Sequence, residues 1–168
     1  ATAIADRYLD VIFRGAAEAV EEAVLNSMTA ADTVTGYTGK TVRSINDFIL
    51  QQAKQYDDFL CFGTVHAAME NIADEAEYIM DKGLRGIKMH PDSQRFNIDD
   101  PRLFPAYEIL QANQLPMILH MGDRRYDYSQ PSRLRRVLEL FPRLDAIAAH
   151  FGGYGMYEEA YRQLHDKE

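Results

Sequence analysis

Cysteine is nearly absent from this sequence, whose 168 residues contain only Cys61. A lone cysteine excludes an intrachain disulfide framework and is typical of proteins kept in a reducing compartment. We therefore expect a cytoplasmic protein in which Cys61, inside an apolar run, is a buried and unreactive thiol. Long apolar segments are missing too, since none approaches the roughly 20 residues that span a bilayer. The first residues, Ala1–Asp6, contain no basic region followed by an apolar run, so no signal peptide is predicted.

Positive charge is in deficit. Lysine and arginine number 18 against 26 acidic residues, a formal net charge of −8. This balance argues against nucleic acid or an anionic membrane as the main partner. The sequence also lacks a Gly-x-Gly-x-x-Gly turn and a Walker-type loop, which removes support for the nucleotide-binding α/β folds.

The apolar residues form an alternation of strand and helix patterns. The predicted strands are Ala31–Gly36, Phe59–Val65, Leu84–Met89, Pro116–Met121 and Leu144–Ala149. The predicted helices are Ala5–Leu25, Thr41–Tyr56, one capped by Asn71, one begun by Asp100 and Pro101, one begun by Pro131, and Met156–Leu164. This rhythm predicts an α/β fold with a parallel sheet and outer helices, either a doubly wound sheet or a β/α barrel. With 46% apolar residues the chain should form a single domain over residues 1–168.

Four of the five histidines lie at the ends of predicted strands. His66, His90, His120 and His150 follow one another at spacings of one strand–helix unit. In a β/α barrel these ends form one rim, where active sites are built. A single histidine at a strand end is more often a hydrogen-bonding residue, but four in register favour metal-assisted or acid–base chemistry.

Three charged residues near the histidines are candidate substrate-binding groups. Lys88 lies two residues before His90, so both side chains point to the same side of a strand. A lysine facing a barrel interior needs an anionic partner, from a substrate or from a metal site, unless it extends to the solvent at the rim. Asp123 lies just after His120 and is a further candidate. The same loop contains Arg124, Arg125, Tyr126 and Tyr128, which suit a carboxylated or aromatic substrate, or the loop surface.

Five segments resemble the amidohydrolase-related family of the amidohydrolase superfamily. They are Arg43–Phe48, Gly83–Pro91, Asp99–Leu103, Leu115–Gly122 and Ala148–Gly153, within a resemblance that extends from about Thr41 to Tyr161. The resemblance implies a (β/α)8 TIM-barrel fold holding one divalent metal, with zinc the expected ion. It implies that His120 is a metal ligand, that His150 moves the catalytic proton, and that Lys88 and His90 face the substrate.

The resemblance therefore implies a metal-dependent hydrolase in which metal-activated water attacks a C–N or C–O bond of a small carbonyl substrate. The same scaffold also carries non-oxidative decarboxylases, and a remnant without metal is a third hypothesis. The His-x-His or Glu-x-His pair of the family's first strand does not occur in this sequence, and there is no initiator methionine.

We accordingly expect an incomplete barrel, spanning about strands two to six. Because His120 and His150 alone make a poor zinc site, weak metal binding is expected. The open edges of such a barrel predict a homo-oligomer or another covering chain.

Overall fold

Short strands alternate with helices along the chain. The computed structural model describes residues 34–35, 41–42, 44–56 and 58–166. In chain order the elements are β1 (Val34–Thr35), β2 (Thr41–Val42), α1 (Ile45–Ala53), α2 (Ile72–Asp81), β3 (Ile87–Met89), α3 (Pro91–Gln94), a 3-10 turn (Pro101–Leu103), α4 (Phe104–Ala112), β4 (Met117–Leu119), α5 (Pro131–Leu140), β5 (Ala146–Ala148), a second 3-10 turn (His150–Gly152) and α6 (Tyr157–Leu164). Within the described residues, no helix has the length and apolar character needed to cross a membrane.

Strands β3, β4 and β5 form a parallel sheet in that order. Its register places Lys88 beside Ile118, and Ile118 beside Ile147. Gly63 adds a parallel bridge to Ile87 on the outer side of β3. The predicted α/β fold with parallel strands, outer helices and barrel-type connections is confirmed, and each strand end lies beside the next.

The two faces of this sheet differ in burial. Ile87 and Met89 of β3, with Met117 and Leu119 of β4, are fully buried. They pack against the outer helices in one hydrophobic core, whose helical members include Ile79, Tyr107, Leu110, Leu134 and Val137. The alternate residues point the other way: Lys88 and Ile118 are half-buried and Ile147 is exposed. This second face is the side on which a barrel interior lies.

The buried side chain of Asn46, on α1, connects this helix to α2 and to the segment around Thr64. Its amide donates to the carbonyl of Thr64 at 2.9 Å and to Glu75 Oε1 at 2.5 Å, and its oxygen accepts from the Thr64 N–H at 2.8 Å. The side chain is buried, so these bonds satisfy groups that would otherwise be costly to desolvate. Asn46 thereby fixes α1 and α2 to the segment that leads to His66.

The first predicted strand and the helix after it need correction. Val34–Thr35 pairs antiparallel with Thr41–Val42, so the predicted strand Ala31–Gly36 is not a parallel neighbour of the sheet. Five residues separate β1 from β2, too few for a parallel crossover. The helix predicted from Thr41 begins at Ile45, because Ser44 caps it by accepting from the Asp47 N–H.

The run Phe59–Val65 is a strand only in part. Gly63 forms a bridge to Ile87 and the Cys61 carbonyl accepts from the Arg85 N–H, while Phe59 and Leu60 are exposed. A continuous apolar run does not by itself tell a buried strand from an exposed approach to one. Cys61 is half-buried rather than buried. The predicted helix Ala5–Leu25 lies outside the described residues.

Candidate metal centre on a histidine rim

Three histidine rings meet at the carboxyl end of the sheet. The rings of His90 and His120 are stacked, with 3.8 Å between centroids and 13° between planes. The ring of His150 meets that of His120 edge-on, with centroids 4.6 Å apart. The strand ladder continues into these residues, since the His120 N–H donates to the Met89 carbonyl at 3.1 Å. The predicted convergence of His90, His120 and His150 on one rim is confirmed.

The surroundings of His90 and His120 favour the neutral forms of these two rings. Burial, with smaller contributions from His90, His150 and Lys88, lowers the pKa of His120 to about 4. Burial first, and then the Lys88 ammonium, also lowers the pKa of His90. Nδ1 of His120 and Nε2 of His150 are 3.1 Å apart, a hydrogen bond that needs one hydrogen between them. A neutral imidazole is the form that binds metals.

Asp92 brings a carboxylate to the same place. His90 caps α3, accepting from the Ser93 N–H at Nδ1, and Asp92 lies in the first turn of this short helix. Its side chain is 4% exposed, and Oδ2 accepts a hydrogen bond from the Ser129 hydroxyl. Burial raises the pKa of Asp92, and the bond from Ser129 opposes that rise.

The second oxygen of Asp92 marks a potential ligand position. Among the residues the structure describes, Oδ1 is buried and has no hydrogen-bond partner. A buried polar atom without a partner costs free energy, about 1–3 kcal/mol, and calls for an explanation. One potential ligand atom from each of His90, Asp92 and His120 lies within 4.8 Å of the others.

This donor set fits a divalent metal. Two imidazoles and a carboxylate are the ligands of many zinc sites, which keep a further position open when they are catalytic. The lone pair of an imidazole nitrogen lies in the ring plane, so the stacked rings of His90 and His120 must turn apart to bind one ion. The donors are therefore in reach of one another, but in an arrangement that a bound ion would change.

The backbone after β5 is strained where it presents His150. His150 and Phe151 have φ values of 58° and 54°, a left-handed conformation that few residues other than glycine adopt. The turn also contacts the loop after β4: Gly122 has φ of 69°, and a Cβ there would lie 2.5 Å from the Cα of Gly153. Glycine at 122 lets the two loops touch, which keeps His120 beside His150.

The three charged residues predicted to bind substrate, Lys88, Asp123 and Arg124, all contact other groups of the protein. Lys88 is half-buried, its Nζ donates to the Met89 carbonyl at 2.9 Å, and burial lowers its pKa. Asp123 pairs with Arg125 at 2.8 Å, and Arg125 holds the pKa of that carboxyl below its usual range. The guanidinium of Arg124 donates to the Gly155 carbonyl. Asp123 and Arg124 thus have protein partners, as loop-surface residues do.

His66 lies near the rim but has both ring nitrogens engaged. Nε2 is 2.9 Å from the Gln94 carbonyl, and Nδ1 accepts from the Ala68 N–H at 3.0 Å. Gln94 in turn accepts from the His90 N–H at 2.7 Å. His66 therefore supports α3 from outside the stack of rings.

Asp92 and Ser129 were missed by the sequence reasoning. A carboxylate two residues after a strand-end histidine, with Pro91 beginning a helix between them, is a usable signal for Asp92. No comparable signal identifies Ser129, which lies 37 residues further along the chain.

Comparisons with known proteins identify the family and the fold of the chain. A family model described as Amidohydrolase matches residues 4–168. The fold is similar to the crystal structure of an uncharacterized TIM-barrel protein from Bordetella bronchiseptica, with a TM-score of 0.60 and 24% sequence identity. The match covers 83% of this chain and 55% of that one, so the chain spans little more than half the length of the solved protein. No curated protein matches the chain at a significant level.

Proposed function

Because the chain belongs to the amidohydrolase family, we propose that it is a metal-dependent hydrolase acting on a C–N or C–O bond of a small carbonyl substrate. Family membership supports hydrolase-type chemistry on a barrel rim. The identity of the metal, the class of substrate and the residue that transfers the proton are our proposals. Zinc is the proposed ion. A single half-buried cysteine supports the cytoplasm as the compartment.

The observation that carries this proposal is the buried, unpartnered oxygen of Asp92 beside two neutral histidines. His90, Asp92 and His120 would hold the ion. A divalent ion there supplies Lewis-acid activation of water and of the substrate carbonyl. The lowered pKa values of His90 and His120 favour the neutral imidazole, in which one ring nitrogen keeps its hydrogen and the other has a lone pair for the ion.

We assign the proton transfer to His150. Its Nε2 lies 3.1 Å from Nδ1 of His120. If the His120 ring turned to bind an ion, Nε2 of His150 would be released from this bond, and the exposed ring would take a proton there and give it to the leaving group or to solvent. Its left-handed backbone directs the imidazole to the rim at a cost in stability, a pattern common at functional positions.

The proposal can be tested on the purified chain. The sequence predicted weak binding from His120 and His150 alone, but three donors lie in reach of one another, so elemental analysis after dialysis against a weak chelator should find about one zinc per chain. Asp92→Asn and His120→Ala should each remove most of it. The matched control Asp100→Asn should not, because Asp100 caps the turn before α4 and pairs with Arg102 away from the rim. Hydrolysis of p-nitrophenyl acetate should fall with the zinc content.

Two results would count against the proposal. Zinc that stays bound in Asp92→Asn would exclude the proposed donor set. Zinc-loaded protein that releases CO2 from aromatic carboxylic acids, and hydrolyses no ester or amide, would favour a decarboxylase on the same rim.

A further inference from the structure

The face of the sheet that carries the histidines also carries a cation. Side chains alternate along β3, so Lys88 and His90 point to one side while Ile87 and Met89 enter the core on the other. The register partner of Lys88 is Ile118, whose own partner on β5 is Ile147. On β4 and β5, the row of side chains that holds Lys88 is therefore apolar.

Lys88 has no acidic partner in the described part of the chain. Its one hydrogen bond goes to the Met89 carbonyl, which leaves two of the three ammonium hydrogens free. Of the carboxylates described at the rim, Asp123 pairs with Arg125, and Asp92 binds Ser129 through Oδ2 and makes no ion pair with Lys88. A half-buried ammonium without a counter-ion is costly, and a bound anion removes that cost.

We infer that Lys88 forms a subsite for a substrate carboxylate, so that the substrate is a small carboxylic acid with its scissile group towards His120 and His150. This inference rests on the proposed function for the reacting end of the substrate. The carboxylate would accept from the two free Nζ hydrogens, and the hydrophobic part of the substrate would lie along Ile118. Lys88 and His90 lie two residues apart on the same side of β3, so a carboxylate bound to Lys88 would lie beside the reacting groups.

The test compares benzoate with benzamide, which has the same shape and no charge. Their binding is followed by NMR through the ring C–H signals of the histidines, in protein freed of metal and in zinc-loaded protein, at constant ionic strength. Benzoate should bind metal-free wild type at least tenfold more tightly than benzamide. Lys88→Met should remove that preference, and Lys88→Arg should keep most of it.

The outcomes separate the two proposals. Equal benzoate affinity in wild type and Lys88→Met, with both variants folded by circular dichroism, would overturn the carboxylate subsite whatever the zinc result. A benzoate preference that depends on Lys88 in protein that binds no zinc would support the subsite and contradict the proposed hydrolase. Lys88→Arg guards against misfolding, because it keeps the charge in a similar volume.

Discussion

The Ser129 hydroxyl donates a hydrogen bond to the carboxylate of Asp92, and both side chains are buried. Ser129 also closes its own loop, since its hydroxyl and its carbonyl both accept from the Gly122 N–H at 3.0 Å. The loop after β4 therefore orients a carboxylate that belongs to the helix after β3. A group that orients a metal ligand influences affinity without touching the ion.

Ser129→Ala should weaken zinc binding by about 10- to 100-fold, because Asp92 loses the bond that fixes its orientation. Competition with a chromogenic zinc chelator measures this directly. The matched control is Ser132→Ala, an exposed serine in the first turn of α5, which should bind zinc as wild type does. Unchanged affinity in Ser129→Ala would show that Asp92 is oriented by other groups or is not a ligand.

His150→Gln should reduce hydrolysis by about 10²- to 10⁴-fold, the usual contribution of a positioned acid–base group, and leave the zinc content intact. Steady-state rates and elemental analysis on the same sample separate these effects. His165→Gln is the control, since His165 lies in an exposed turn against Tyr161. Parallel loss of zinc and rate in His150→Gln would instead make His150 a ligand.

The bond from Tyr78 to Asp47 should make stability depend on alkaline pH. Chiefly through that bond, and secondarily through burial, the pKa of Tyr78 is raised from 10.0 to about 12. The native state therefore holds the phenol proton more tightly than the unfolded state does. The stabilisation is full below pH 10 and is lost as the pH rises through about 12.

Tyr78→Phe should accordingly lower the free energy of unfolding by about 1 kcal/mol at pH 8, and by progressively less above pH 10. Urea denaturation at several pH values measures the difference. Tyr157→Phe, at an exposed position, should match wild type throughout. A deficit in Tyr78→Phe that stays constant with pH would show that packing, rather than the phenol proton, is responsible.

The outer side of β5 should promote self-association. Among the described strands β5 pairs only with β4, and Ile147 is 51% exposed. Beside it lies an apolar groove of about 700 Å³ whose lining includes Phe151, Tyr157 and Tyr161. Unpaired edges and exposed apolar patches are covered in stable proteins. In a sample of the purified chain, a second copy of the chain would cover the β5 edge and this groove.

Sedimentation at micromolar concentrations should therefore show dimers or larger species. Ile147→Lys, which places a charge on the edge, should shift the chain towards monomer. The surface variant Glu158→Lys, on α6, should associate as wild type does. A wild-type chain that sediments as a monomer would contradict this expectation.

The histidines were predictable because their positions depend on local signals. Each follows a short apolar run, and parallel strands of similar length bring their ends together. The position of the Asp92 carboxylate depends on finer geometry. Helix α3 ends after four residues because Arg95 adopts a left-handed conformation, with φ of 55°. Its partner Ser129 comes from a distant loop. Spacing along the sequence reveals neither.

The early strands were mispredicted for a related reason. The position of Ala31–Gly36 in the alternation of strands and helices suggested a strand of the central sheet, but the short separation between β1 and β2 permits local antiparallel pairing instead. Phe59 and Leu60 have strand-like composition without the neighbours that would bury them. Tertiary context decides both cases.

Main-chain hydrogen bonds between the strand ends, together with the contact of Gly122 with Gly153, set the spacing of the rim. The His120 N–H binds the Met89 carbonyl, and the Ala149 N–H binds the Leu119 carbonyl. The segment 123–128, by contrast, is anchored through its own arginines and through bonds at its two ends. This segment can therefore be replaced without changing the hydrogen bonds between the strand ends. Grafting a different segment between Gly122 and Ser129 should change which molecules are accepted while the imidazoles stay in register, which makes this loop the natural starting point for redesigning selectivity.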